Sequence, residues 1–169
     1  MNILKTIRDE DVGSPVAAPE KFRERKASRA IVFDQEKKIA LLHSTKNSFH
    51  KLPGGGVEVG EDLEAALRRE VLEEIGGEIT NIRELAVIEE YRNKFELHQL
   101  SYCFIAYLSG EKGLPHLDEG EIAEGFVTEW LSLDEAVVTL EKETDIQDYQ
   151  GKFIQVRDLA FLREAKFHQ

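Results

Sequence analysis

The 169-residue chain has one cysteine, only 22 basic residues and no long apolar run. Cys103 alone can form neither an internal disulfide nor a cysteine-based zinc site, so a reduced cytoplasmic setting is the simplest expectation. The apolar runs, such as residues 103–108, fall far short of the roughly 20 residues that a membrane-spanning helix needs. Charged residues interrupt the start of the chain, where a secretory signal would need an apolar stretch. These absences predict a cytoplasmic protein that does not bind membranes.

The charge balance narrows the class of partner. With 33 acidic residues the net charge is −11, which argues against non-specific binding to DNA, RNA or anionic membranes. A small anionic substrate remains compatible, provided that metal ions offset the repulsion. The composition, 41% hydrophobic and 33% charged, is ordinary for a soluble globular chain. Residues 1–169 are expected to form one domain, with residues 1–27 as an N-terminal extension containing a strand and a loop. A homodimer is left open.

Two helices stand out from the hydrophobic pattern. Leu63, Leu67, Val71 and Ile75 recur every four residues, and two glycines follow, which predicts a helix over about 62–75. A second amphipathic pattern predicts a C-terminal helix over about 150–166. Several apolar, β-branched segments elsewhere in the chain are expected to form strands. A glycine- and acid-rich loop is expected over 110–125. The order of elements indicates an α/β (α+β) sandwich with a mixed sheet instead of a regular βαβ array.

Three carboxylates share one face of the first helix. Glu70, Glu73 and Glu74 stand at i, i+3 and i+4, beside the apolar stripe, so their side chains lie near the protein body. Gathered carboxylates repel one another, and a divalent cation with hard oxygen ligands, such as Mg²⁺, removes that penalty. Taken alone, the pattern is also typical of a solvated acidic face.

The glycine turn before the helix changes that reading. From Gly55 the chain runs through five residues to Glu61 and seven more to Arg69-Glu70-Val71-Leu72-Glu73-Glu74-Ile75-Gly76. This resembles the Nudix box, G-x5-E-x7-R-E-U-x-E-E-x-G-U with U apolar, and all seven fixed letters are present. By chance such a match would arise in about 10⁻⁵ of chains with this composition. One position departs from the pattern, since Gly77 stands where the last apolar residue is usual.

The resemblance implies a Nudix-like α/β/α sandwich and a hydrolase that cleaves the diphosphate bond of a nucleoside diphosphate linked to another moiety. Water would attack phosphorus with the help of bound Mg²⁺ (or Mn²⁺). The metal ligands implied at matching positions are Glu70, Glu73, Glu74 and the carbonyl of Gly54. Arg69 would hold the helix acids in place by charge-assisted bonds, with Glu61 in a mainly structural role at the helix start.

The sequence offers two locations for the general base. Glu73 and Glu74 are the first candidates, and Glu121 and Glu124 of the acidic loop are the alternatives, because some family members place the base there. The residues that could contact substrate around the cleft are Arg29, Lys46, Lys51 and Gly55. The five histidines show no metal-ligand spacing such as H-E-x-x-H.

Several substrate classes and functions compete. The turn Leu52-Pro53-Gly54-Gly55-Gly56 is similar to that of nucleoside triphosphate hydrolases, so a nucleoside triphosphate or its oxidised form leads. Nucleotide sugars and dinucleoside polyphosphates follow. A non-catalytic, nucleotide-binding regulatory domain is disfavoured because no box glutamate is lost. An isopentenyl diphosphate isomerase would need a catalytic cysteine, and Cys103 lies in an apolar strand. The net charge disfavours an RNA-cap hydrolase.

Overall fold

The computed structural model describes residues 1–168, and Gln169, the last residue of the predicted domain, lies outside the described residues. Two short 3-10 helices, Asp9–Val12 and Asn93–Phe95, accompany the main elements. The strands are β1 (Ile3–Ile7), β2 (Arg23–Phe33), β3 (Lys38–Ser44), β4 (Phe49–Lys51), β5 (Gly54–Gly56), β6 (Glu78–Arg92), β7 (Leu97–Ser109) and β8 (Phe126–Ser132). The helices are α1 (Leu63–Ile75), α2 (Glu119–Glu124), α3 (Leu133–Lys142) and α4 (Tyr149–Ala165).

The strands form one mixed sheet in the order β1-β6-β7-β2-β3-β4, with β5 paired to β2 and β8 paired to β3. Two of the pairings, β1 with β6 and β2 with β7, are parallel, and the others are antiparallel. β2 lies between β7 and the β3–β5 region, so it connects the long β6–β7 hairpin to the strands around the glycine turn.

Two hydrophobic cores lie on opposite faces of this sheet, because successive side chains of a strand alternate between its faces. Ala30 and Val32 of β2 pack with the apolar side of α1. Ile31 and Phe33, the intervening residues, pack in the core that contains residues of α3 and α4. Helices therefore cover both faces, and the predicted α/β/α sandwich with a mixed sheet is confirmed.

The helix predicted over 62–75 is α1, and its ends have clear local causes. Asp62 caps the N-terminus by accepting a hydrogen bond from the Ala65 N–H at 2.8 Å. At the other end Gly76 adopts φ +69°, a left-handed conformation that favours glycine. The predicted C-terminal helix is α4, which begins one residue earlier than expected, after Asp148 accepts from the Gly151 N–H.

The region 110–125 is not entirely a loop, contrary to the prediction. Residues 119–124 form α2, because Asp118 and Glu121 make a capping box in which each side chain accepts from the other's backbone N–H. Glu121 and Glu124 therefore lie on a helix. The N-terminal extension is also part of the sheet, since β1 pairs with β6. Within residues 1–168, no helix combines the length and the apolar character needed to cross a membrane.

Candidate active site

α1 presents its three clustered acids at very different depths. Glu74 is 1% exposed and belongs to the buried side of the helix, whereas the Glu70 side chain is 14% exposed and that of Glu73 is 46% exposed. On α1, Glu74 follows the buried Val71 by three residues and directly precedes the buried Ile75. The three carboxylates therefore range from fully buried to half exposed.

Arg69 contacts two of these acids and the helix entrance at once. Its Nε and Nη2 donate to the two oxygens of Glu61 at 2.8 and 3.0 Å, and its Nη1 donates to Glu70 at 2.7 Å. Weaker contacts reach Glu73 at 3.4 Å and the Gly56 carbonyl at 3.1 Å. The hydrogen bonds from Arg69 lower the pKa of Glu61 to about 2. One planar guanidinium thus positions the helix acids and the glycine turn together.

The glycine turn approaches α1 so closely that a side chain would not fit. A Cβ built on Gly55 would lie 2.4 to 2.6 Å from all three carboxyl atoms of Glu70. Any other residue at position 55 would therefore displace the Glu70 carboxylate. The backbone of the turn and the acids of the helix form a single oxygen-rich surface.

Glu74 is held by donors from the turn and from β4. Lys51 Nζ donates to Oε1 at 2.6 Å, and the Gly54 N–H donates to Oε2 at 2.5 Å. Burial raises the pKa of Glu74 to about 7, although the Lys51 charge opposes this shift. A carboxyl with such a pKa is a suitable proton acceptor near neutral pH, or a ligand that a cation would keep ionised.

The donor set suits a hard divalent cation. Carboxylate oxygens at positions 70, 73 and 74 and backbone carbonyls of the turn are the ligands that Mg²⁺ prefers. Among the described residues, however, the three carboxylates do not gather within 4.8 Å of one another, because Arg69 holds Glu70 and Glu73 while Lys51 holds Glu74. A cation bound by all three would require Lys51 to release Glu74.

Arg29 contacts the glycine turn from β2. It is buried on β2, and its Nη1 donates to the carbonyl of Gly54, the group implied as a metal ligand. Burial lowers the pKa of Arg29 to about 10. The Arg29 guanidinium therefore lies against the Gly54 carbonyl, and its contact with a substrate phosphate stays a prediction.

The two acidic candidates on α2, Glu121 and Glu124, have different neighbours. Glu121 lies 3.7 Å from Lys51 Nζ, so one lysine links it to Glu74. Glu124 instead accepts from Asn47 Nδ2 at 2.5 Å and lies 3.8 Å from the Nζ of Lys46. Of the two, Glu121 is the one that the fold brings to the helix acids.

A cavity of about 390 Å³ opens beside Lys51. Phe126 forms part of its wall and stacks under the Lys51 ammonium, 4.5 Å from the ring centre. Asn47 and Glu121 contribute polar groups. Its volume and mixed lining are in the range of small-molecule sites. Sequence reasoning missed the contribution of Phe126, because only the pairing of β8 with β3 brings it there.

Sequence reasoning also missed a residue of α4 that holds the segment before the glycine turn. Asp158 is fully buried and accepts from the Leu52 N–H at 2.9 Å, just before the glycine turn. Arg157 beside it donates to Asp158 at 2.7 Å. In the sequence these two charges fall within an amphipathic helix, and no local signal shows that they are buried.

Comparison with known proteins identifies the family of this chain. A model of the NUDIX domain matches residues 23–155. A solved MutT structure, from a study of the proteins of Aliivibrio salmonicida and Vibrio cholerae, is similar with a TM-score of 0.53 and 19% identity, over 82% of this chain and 98% of that one. None of the curated proteins compared with the chain matches it. Because the domain match spans most of the sequence, including the whole box, the chain belongs to the Nudix family.

Proposed function

We propose that this protein is a metal-dependent hydrolase that cleaves the diphosphate bond of a nucleoside diphosphate linked to another moiety. The observation that carries the proposal is the Arg69-centred arrangement, in which one guanidinium fixes Glu61 and Glu70 against the glycine turn. A solvated acidic face would not need a glycine at position 55 or a buried carboxylate at position 74.

Mg²⁺ or Mn²⁺ is the cofactor we propose, held by Glu70, Glu73 and Glu74 and by the second lone pair of the Gly54 carbonyl. When bound, it would neutralise diphosphate oxygens and lower the pKa of a coordinated water. Arg69 keeps Glu70 and Glu73 oriented. Lys51, which lines the cavity, would contact a substrate phosphate once it is released from Glu74.

Four carboxylates are candidates for the general base. Glu74 is supported by its raised pKa and Glu73 by its exposure to solvent. Glu121 is supported by its position 3.7 Å from Lys51. Glu124 is a weaker candidate, because its carboxylate contacts Asn47 and Lys46 and not Lys51.

A nucleoside triphosphate or its oxidised form is the substrate class we favour. The sequence of the turn from Leu52 to Gly56 supports it, and the cavity beside Lys51 is large enough for a nucleoside. We further propose that residues 1–169 act as one domain, since β1 joins the same sheet, and that the protein works in the cytoplasm, where its free Cys103 stays reduced.

The decisive experiment is a panel of nucleoside triphosphates, oxidised nucleotides, nucleotide sugars and dinucleoside polyphosphates with millimolar Mg²⁺. Chromatography of the products would locate the cleaved bond. We expect pyrophosphate and a nucleoside monophosphate from a triphosphate, and no turnover in excess chelator. Hydrolysis only of nucleotide sugars or dinucleoside polyphosphates would change the substrate class. Full activity in chelator, or binding without turnover of any compound, would contradict the enzyme proposal.

A further inference from the structure

Two histidines face each other across neighbouring strands. His43 of β3 is the register partner of His50 of β4, and their rings stack with centres 4.3 Å apart. β8 lies on the other side of β3 and brings in Glu129. The sequence gives no metal-ligand spacing for these residues, because the sheet, and not a helix, places them together.

Glu129 contacts both rings through separate oxygens. Its Oε1 lies 3.3 Å from His43 Nδ1, and its Oε2 lies 3.2 Å from His50 Nε2. One ligand atom from each residue can be chosen so that all three lie within 4.8 Å of one another. Four-coordinate zinc with bonds of about 2.0–2.1 Å places its ligand atoms roughly 3.3 Å apart. The two nitrogen–oxygen separations match that spacing, although each involves a different oxygen of Glu129.

A second carboxylate supports this arrangement from behind. Glu143, which follows the last residue of α3, lies 2.5 Å from the other ring nitrogen of His50. Its side chain is 10% exposed, and its Oε2 is buried without a hydrogen-bond partner. Metal-binding histidines commonly donate their second N–H to a carboxylate, which fixes the ring and increases its basicity.

This cluster lies on the opposite face of the sheet from the Nudix helix. Ala40 and Leu42 of β3 pack against α1, whereas Ile39 and Leu41 pack in the core with α3 and α4. His43 continues the second series, because side chains alternate along a strand. The ligands of the two sites therefore do not overlap.

We propose that His43, His50 and Glu129 form a separate binding site for Zn²⁺ or a similar late first-row divalent ion, with Glu143 positioning His50. Imidazole nitrogen suits such ions, whereas Mg²⁺ prefers oxygen. The dication would offset the charges of the two carboxylates, and water would complete the coordination. Since each nitrogen lone pair lies in its ring plane, binding must tilt the stacked rings apart. The bound ion would join β3, β4 and β8.

Titration with Co²⁺ in millimolar Mg²⁺ tests this proposal, because Mg²⁺ occupies the oxygen sites and four-coordinate Co²⁺ absorbs visible light strongly. We expect one absorbing Co²⁺ per chain, displaced by Zn²⁺, and a higher Tm when Zn²⁺ is added. His50→Gln and His43→Gln should weaken binding by at least about 100-fold, and Glu143→Gln by about 10–100-fold. His43 is the more exposed of the two, so its variant tests the site even if His50→Gln folds poorly.

His98 supplies the matched control. It also lies between two carboxylates, with Glu24 and Glu89 each at 2.8 Å, but it has no second histidine beside it. His98→Gln should leave Co²⁺ binding unchanged. No visible absorption, or an equal loss of Co²⁺ binding in His43→Gln and His98→Gln, would overturn the proposal. His50 would then be a cation that pairs with Glu129 and Glu143.

Discussion

Arg69 is the residue on which the candidate active site depends most, because its five contacts join the helix acids to the glycine turn. Arg69→Lys keeps the charge but cannot hold Glu61 and Glu70 at the same time. We expect a fall of about 10–100-fold in kcat and weaker apparent Mg²⁺ affinity, as for other residues that orient metal ligands. The measurement is the rate as a function of Mg²⁺ concentration.

Arg68→Lys is the control for this change. Arg68 is the neighbouring residue on α1 and pairs with the exposed Glu64 at 2.8 Å. Its replacement should leave both the rate and the Mg²⁺ dependence near wild type. If Arg69→Lys behaves in the same way as Arg68→Lys, the orienting role of Arg69 is wrong.

Gly55 tests the close approach of the turn to α1. In Gly55→Ala the new Cβ would meet the Glu70 carboxylate at 2.4 Å, so Glu70 must move and we expect a large rise in the Mg²⁺ concentration needed for half-maximal rate. In Gly56→Ala the Cβ would meet the end of the Arg25 side chain, which can move away. A Gly55→Ala enzyme with the same Mg²⁺ dependence as Gly56→Ala would show that the approach has no function.

At the scale of elements, α2 can be tested as the source of the general base. Glu121 and Glu124 lie on the same short helix, but only Glu121 is close to Lys51. If Glu121 is the base, Glu121→Gln loses about 10²–10⁴-fold in kcat with little change in metal affinity, and the acidic limb of its pH–rate profile disappears. Glu124→Gln should stay near wild type. Equal and small effects of both variants would place the base on α1.

The elements that could be predicted are those with local causes. The period of Leu63, Leu67 and Val71 and the glycines after Ile75 were sufficient for α1, and the box supplied its acids. The spacing from Asp118 to Glu121 is a capping signal for α2, but the glycines around it favoured a loop. Long-range pairings had no such signal: the parallel alignment of β2 with β7 and the approach of Lys51 to Glu74 depend on the complete sheet.

At the scale of the whole molecule, a buried charge network joins β6 to α4. Glu90 accepts from Arg92 at 2.6 Å and lies 3.7 Å from Arg157, which in turn contacts Asp158. Glu90→Gln would remove the charge that balances Arg92, while Arg157 would keep its pair with Asp158. We expect a loss of about 3–5 kcal/mol in the free energy of unfolding at neutral pH, measured by urea denaturation.

The pH dependence of that loss has a definite sign. Burial opposes the charged form, but Arg92 and Arg157 hold the pKa of Glu90 at about 2, below its usual value of 4.5. The stabilisation by ionised Glu90 is therefore complete above pH 4.5 and is lost as the pH falls towards 2. The difference between wild type and Glu90→Gln should shrink over that interval. Glu78→Gln, an exposed change on the same strand, should show a small difference at every pH, and a constant gap for Glu90→Gln would contradict the account.

The central claim is that the acids of α1 carry out metal-dependent hydrolysis, and kcat of Glu74→Gln tests it most directly. The change removes one charge while keeping shape, and Glu64→Gln on the exposed side of the same helix is the matched control. We predict a fall of about 10²–10⁴-fold in kcat for Glu74→Gln, with an unchanged circular dichroism spectrum and a near wild-type control. A folded Glu74→Gln protein with near wild-type kcat would contradict the claim.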